Sequence, residues 1–404
     1  MKKMFFLAGL IILIVGGIFF SMISPPLEKE TKVSGATLPA NINNIETSRS
    51  REERSIRQRN PEYTVTLFSV EDLERLPGDQ VTALMLDEML WDVKPENYPR
   101  ALRLIENSGV SAGEKLKFLR GLITNWSSHD FLEAFDVANN TPSFGNDKNK
   151  IIQSVFVGCS NPNLMMQKLS QLDSDDERKA ATEGIRMNLR NRVDDPLPDF
   201  STISLSGDLF LEEEIGAGLG ERFGNVSNTV HGELFETVIS DIEDLVDGER
   251  ASPKVLESFL KSASIYGAES VFEWIVDPNN SQMVEKHDLD AWRSISQGYV
   301  EEVGGSAALS KITALNPADV PRAAEMSGEA YRAWLNKNNP EAQAWLNENL
   351  SSLKGGFHDS ITSSVVKYSL EQGEPELARQ WVNEIDNEEM KRALIKSIES
   401  GSPE

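Results

Sequence analysis

The sequence predicts an all-α fold, a solenoid of stacked αα-hairpins with a period of about 35 residues, preceded by one transmembrane helix and a flexible tether. Three observations carry this expectation. An uncharged apolar run opens the chain, apolar quartets at i, i+3, i+4 and i+7 fill the part beyond residue 61, and alternating strand patterns are almost absent. The quartet spacing lays one apolar stripe along a helix. The implied organisation is 1–24 transmembrane helix, 25–60 tether, 61–191 first helical sub-array, 192–224 irregular insertion or joint, and 225–404 second sub-array.

Residues 4–24, MFFLAGLIILIVGGIFFSMIS, are 21 residues without a charge. At ~1.5 Å per residue such a helix covers ~30 Å, the hydrocarbon thickness of a bilayer. Lys2 and Lys3 precede it, and the positive-inside rule then retains the short N-terminus in the cytoplasm and exports the rest. The segment reads as a retained signal anchor. The rival is a cleaved signal peptide, whose apolar region ordinarily spans ~7–15 residues. Here the run is longer, Pro25-Pro26 directly follows Ser24, and the small residues Ser34 and Ala36 lie too far on. No cysteine follows the run, which excludes a lipoprotein anchor. Either reading exports the body: single-pass in a bacterial inner membrane with a periplasmic body, or secreted if cleavage occurs.

From Pro25 to about Arg59 the composition turns to Ser, Thr, Asn, Glu and Arg, as in a solvated tether. Arg49, Arg51, Arg54, Arg57 and Arg59 sit in its second half. They suit either a mixed-charge linker or a contact with anionic lipid or the acidic body. The 404-residue chain has 64 acidic and 40 basic residues, a net charge of −24. Residues 1–60 hold nine basic and five acidic residues, so 31 basic and 59 acidic remain beyond them, a net of −28. That balance argues against nucleic acid, because phosphate binding needs a basic surface.

The stripes recur. Ala101, Leu104 and Ile105 begin a series that continues at Phe131, Met165, Phe235, Val271, Ala308, Ala342 and Ala378. The intervals are 30–37 residues, with one double interval of 70 between Met165 and Phe235. Partner stripes lie between them at Leu119–Trp126, Ile152–Cys159 and Leu256–Ala263. One hairpin cannot cover its own stripe, so neighbours must, and stacking yields a continuous core.

The clearest pair of units is NNPEAQAWLNENL at 338–350 and GEPELARQWVNEI at 373–385. Their shared pattern runs from a turn with Pro through Ala, two residues, Trp and an aliphatic to a closing Leu or Ile. It resembles bacterial αα-hairpin repeat proteins of the TPR-like and HEAT-like class, most closely over 325–385. The Leu-Gly pair and Tyr of the tetratricopeptide signature are absent. The resemblance implies a superhelical interaction scaffold and no particular chemistry.

Near residue 200 a unit is missing. RVDDPLPDFSTISLSGD carries Pro196 and Pro198, which stop a helix, and Gly216, Gly218, Gly220 and Gly224 follow. Hence 192–224 is expected to be irregular.

Candidate chemistry is weak throughout. IGAGLGERFG at 215–224 has the glycines of a phosphate cradle, but Glu212, Glu213 and Glu214 precede it, so a flexible bend is expected instead. His129, His231, His287 and His358 share no ligand spacing. DPNNSQMVEKHD at 277–288 places Asp277, Asn279, Ser281 and Asp288 near calcium-loop positions, yet Gln282 stands where the turn wants Gly. Asp173, Asp175, Asp176 and Glu177 read as a helix entry. Cys159 falls on a stripe and reads as core. So do Trp126, Trp274, Trp345 and Trp381; Trp334, one turn from Tyr331, is the least secure of the core readings, with a ligand-facing position as its minority alternative. No catalytic, cofactor-binding or metal-binding residue is assigned, and no cofactor. The expected function is a non-enzymatic protein-interaction scaffold with an acidic surface and a partner whose contact region is basic. The alternatives are a binding module for a glycan or small ligand, or an enzyme with its active-site loop at 192–224.

Overall fold

Helix starts in this chain are set by short polar caps and by proline. The computed structural model describes residues 68–192, 204–205, 207–225 and 231–400, all within the unit Leu67–Glu404. Ser69 and Ser111 form reciprocal capping boxes with Asp72 and Glu114. Asp130, Asn161, Ser174, Asp208 and Asp277 accept backbone N–H groups at other starts. Pro162, Pro278, Pro340 and Pro375 occupy first turns, where a missing N–H costs no bond. These prolines are the turn signals that mark the sequence period.

Every regular element among the described residues is helical. In chain order they are α1 (Val70–Glu74), α2 (Ala83–Leu90), α3 (Tyr98–Asn107), α4 (Ala112–His129), α5 (Phe131–Asn140), α6 (Lys148–Gly158) and α7 (Pro162–Leu169). Then come α8 (Asp175–Asn191), α9 (Leu209–Glu221), α10 (His231–Asp247), α11 (Lys254–Ala263), α12 (Ala268–Ile275) and α13 (Pro278–Lys286). The last are α14 (Trp292–Val303), α15 (Gly305–Ile312), α16 (Ala323–Lys337), α17 (Asn339–Asn349), α18 (Gly356–Glu371), α19 (Pro375–Val382) and α20 (Glu388–Ser400).

Two rows emerge from their packing. In one, α4, α6, α8, α9, α11, α14, α16, α18 and α20 each touch the next. Against it lie α3, α5, α7, α10, α12, α15, α17 and α19. Contacts within the first row advance along both partners together. Gln153 meets Glu183, the Asn188 amide donates to the carbonyls of Phe156 and Val157, and Arg192 reaches that of Gly158. Likewise Glu212 meets Ser252 while a Cβ on Gly220 would meet Phe259 and Ser262. The neighbours α6 and α8, and α9 and α11, therefore run parallel.

Small residues let these helices approach. A Cβ on Gly158 would lie 2.2 Å from the Thr124 carbonyl oxygen, one on Gly184 2.5 Å from that of Gln153, and one on Gly298 2.1 Å from that of Ser264. Hydroxyls fill the same seams: Ser127 donates to the Val155 carbonyl at 2.5 Å and Ser364 to that of Gly328 at 2.7 Å. Ion pairs cross them too, among them Arg186 with Glu214 and Glu221, Arg293 with Glu329, and Arg332 with Glu371. Such partly exposed pairs add little stability each.

The apolar stripes meet between the rows. One core runs from Val70 to Val365, and a smaller cluster of Val366, Ala378, Val382, Ile385, Leu394 and Ile398 closes the C-terminal end. Phe131, Ala134, Phe135 and Ala138 are all buried, as are Phe235, Val238, Ile239 and Ile242. Trp126 and Trp274 are core; Trp345 and Trp381 are half-buried at its edge.

One expectation is corrected. The second half of 192–224 is not irregular, because Leu209–Glu221 is helix α9. Its glycines are contact points rather than hinges: Gly218 meets α8, while Gly216 and Gly220 meet α11. Helix propensity, which glycine lowers by ~1 kcal/mol, is overridden by packing on two sides. Residues 193–203, with Pro196 and Pro198, lie outside the described residues, as do the apolar run 4–24 and the arginines of the tether. Among the described residues no helix is long and apolar enough to cross a membrane. Trp334 packs inward, and its minority alternative of facing a ligand falls away. It is 4% exposed, with its ring where a side chain on Gly305 would stand, so it is core.

Candidate interaction groove

Helices α10 and α12 are neighbours in the second row. Their stripes turn Phe235 and Ile239, and Val271 and Trp274, inward. The positions flanking those stripes face each other across a cavity of about 730 Å³. Phe235, Ile239 and Trp274 form its floor, with the Phe235 and Trp274 rings edge to face at 6.4 Å and Phe235 stacked on Phe259 at 5.6 Å. Glu236, Ser240 and Glu243 form one wall, Glu269 and Glu273 the other, and Asp277 stands at its end.

The walls are acidic and little neutralised. Lys311 pairs with Glu273 from the rim and lies 5.5 Å from the centroid of the Phe272 ring, which stacks on Tyr299 at 3.9 Å. Glu236, Glu243 and Glu269 make no ion pair among the described residues. Burial raises the pKa of the Glu243 carboxyl above the usual range, and the negative charges of Asp247, Glu236 and Asp244 raise it further. Asp277 is occupied locally, accepting the Asn279 N–H at 2.9 Å as the cap of α13.

The other acids that look chemical are helix caps. Among the described residues, one cluster has the ligand types and spacing of a metal site: His358, Asp359 and Asp386, with donor atoms within 4.8 Å of one another. Asp359 is already engaged, its two oxygens accepting the N–H groups of Asp386 at 2.9 Å and Asn387 at 3.0 Å ahead of α20. Three donors also fall short of the four that close a structural zinc site. Buried Glu212 does the same for α11 through the N–H and hydroxyl of Ser252. Glu302 accepts the Glu269 N–H at 2.9 Å at the start of α12. Carboxylates at helix N-termini gain from the orphan N–H groups and the dipole.

The remaining sequence candidates disperse. Residues 215–224 form α9 and the turn after it, not a phosphate cradle. Residues 277–288 form α13, not a calcium loop, and Asp288 pairs with Arg322 at 2.9 Å. Cys159 is buried, which pushes its thiol up to about 11, far from thiolate chemistry at neutral pH. His129 packs 6.0 Å from the Tyr98 ring and His287 ends α13. Asp175 begins α8 behind the Ser174 cap, as a helix entry should.

Sequence reasoning passed over Glu236, Glu243, Glu269 and Glu273. The signal was present: carboxylates seven and four residues apart, beside two consecutive stripes. Among 64 acidic residues it does not stand out. Searches against protein-family models, curated proteins and solved structures return no match to this chain.

Proposed function

We propose that this protein is a membrane-anchored, extracytoplasmic scaffold of αα-hairpin repeats that binds a protein partner through an acidic surface. The observation that carries it is the α10–α12 groove, where Glu236, Glu243 and Glu269 have no cation partner among the described residues while the seams of the first row pair theirs internally. An acidic face without counter-charge favours basic segments, chiefly by accelerating encounter. The repeat reading is supported by parallel neighbours in one row, which need a return helix between them, and by seam contacts 28–39 residues apart, such as Arg186 with Glu214 and Arg332 with Glu371.

Salt tests the partner chemistry. Exposed charges lose most of their attraction beyond ~8 Å at physiological ionic strength. With a captured partner, the association rate should fall severalfold between low and ~0.5 M salt while dissociation changes less. A rate constant across the series would remove the acidic surface from the mechanism. The anchor is tested separately. A reporter fused after residue 60 should be exported, and the full chain should stay with membranes after carbonate washing. Release of a product beginning near Ser24 or Ala36 would contradict a retained anchor.

A further inference from the structure

We infer that the α10–α12 groove is the docking site for a short basic segment of the protein partner, with two or more Lys or Arg side chains on the walls and an apolar side chain against Trp274. This rests on the scaffold reading above and assigns it a place. The groove's shape and charge point there together.

The carboxylates are spread, not convergent. No three of them bring oxygens within 4.8 Å of one another, as the donor atoms of His358, Asp359 and Asp386 are elsewhere. A single divalent ion would need such convergence. A chain of separate cations needs the opposite, rails of charge at intervals. On α12, Glu269 and Glu273 are four residues apart, ~6 Å along the helix axis. On α10, Glu236 and Glu243 are seven apart, ~10 Å. Alternate residues of an extended peptide are ~6.6 Å apart, so basic residues at i and i+2 match the α12 rail, the first on Glu269 and the second sharing Glu273 with Lys311. A cavity of about 730 Å³ has room for a few residues of such a segment. Its floor is Trp274, core yet 8% exposed, with the buried Phe235 ring behind it, so only an edge of the indole is open to an apolar side chain. Lys311 marks the pattern, since the protein's own cation already sits at the rim on Glu273.

The test uses the full chain in detergent micelles and a fluorescein-labelled peptide alternating Lys or Arg with Leu. Its Kd is compared for two triple variants with the same loss of charge. The groove variant is Glu236→Gln, Glu243→Gln and Glu269→Gln. The control, Glu96→Gln, Asp173→Asn and Glu348→Gln, changes exposed acids outside the groove. Each lost pair is worth a factor of about two, so the groove variant should bind about tenfold more weakly and the control unchanged. All six substitutions are isosteric, and unchanged circular dichroism certifies folding. Equal weakening in both variants overturns the groove and leaves a diffuse acidic surface, which still satisfies the scaffold reading. No weakening in either, with binding insensitive to salt, overturns both. Spermine or Ca²⁺ displacing the peptide at equal charge concentration would overturn the segment as occupant.

Discussion

Phe259→Ala should cost about 3–5 kcal/mol, the usual loss for a fully buried phenylalanine whose cavity cannot collapse. Phe259 is 0% exposed and packs on Phe223 at 6.0 Å and Phe235 at 5.6 Å, so two rings lose their common neighbour. Collapse is restricted because α11 is held on one side by α9 through close glycine contacts. In a stack where each unit touches only its neighbours, the damage stays local. Amide exchange should accelerate in α9 to α12 and stay near wild type in α3 to α6 and in α18 to α20. Uniform loss of protection along the chain would instead mark one cooperative globule and count against the repeat reading. Because Phe235 also floors the groove, the same variant should loosen peptide binding there.

How much of this was legible beforehand depends on the range of the interaction. The stripes of α5, α10 and α11 were legible residue by residue, since a 3.6-residue period is a local property and every stripe position there is buried. Trp334 was legible as core only weakly, because its neighbour is Gly305, 29 residues earlier, and nothing in GEAYRAWLNKN reveals the flat surface it covers. Glycine in 215–224 was misread for a related reason. Local propensity argues for a bend, whereas the contacts that make glycine necessary come from Arg186 and Val255 on other helices. The groove needs two helices to exist at all. Glu243 looks like any other acid until Glu236, Asp244 and Asp247 are seen around it, with no cation paired to it among the described residues.

Gly216→Ala and Gly121→Ala should have opposite signs. Both glycines lie inside helices, and alanine gains ~1 kcal/mol of helix propensity at each. At Gly121, in α4, a Cβ meets nothing within 4 Å and points to solvent, so that gain should appear as added stability. At Gly216 the new Cβ would stand 2.2 Å from the Val255 carbonyl oxygen and 3.0 Å from the Phe259 backbone nitrogen. These are backbone atoms of α11 and cannot rotate away, so α9 and α11 must separate along their length. Overpacking of this kind typically costs ~1–3 kcal/mol, and a backbone obstacle places it at the upper end. After subtracting the propensity gain, a net loss of about 2 kcal/mol is expected for Gly216→Ala. The loss should appear as faster amide exchange in α9 and α11, and Gly121→Ala should slow exchange in α4. A stabilising Gly216→Ala would mean that α9 tolerates displacement from α11, and the glycines of 215–224 would then belong to a flexible bend after all.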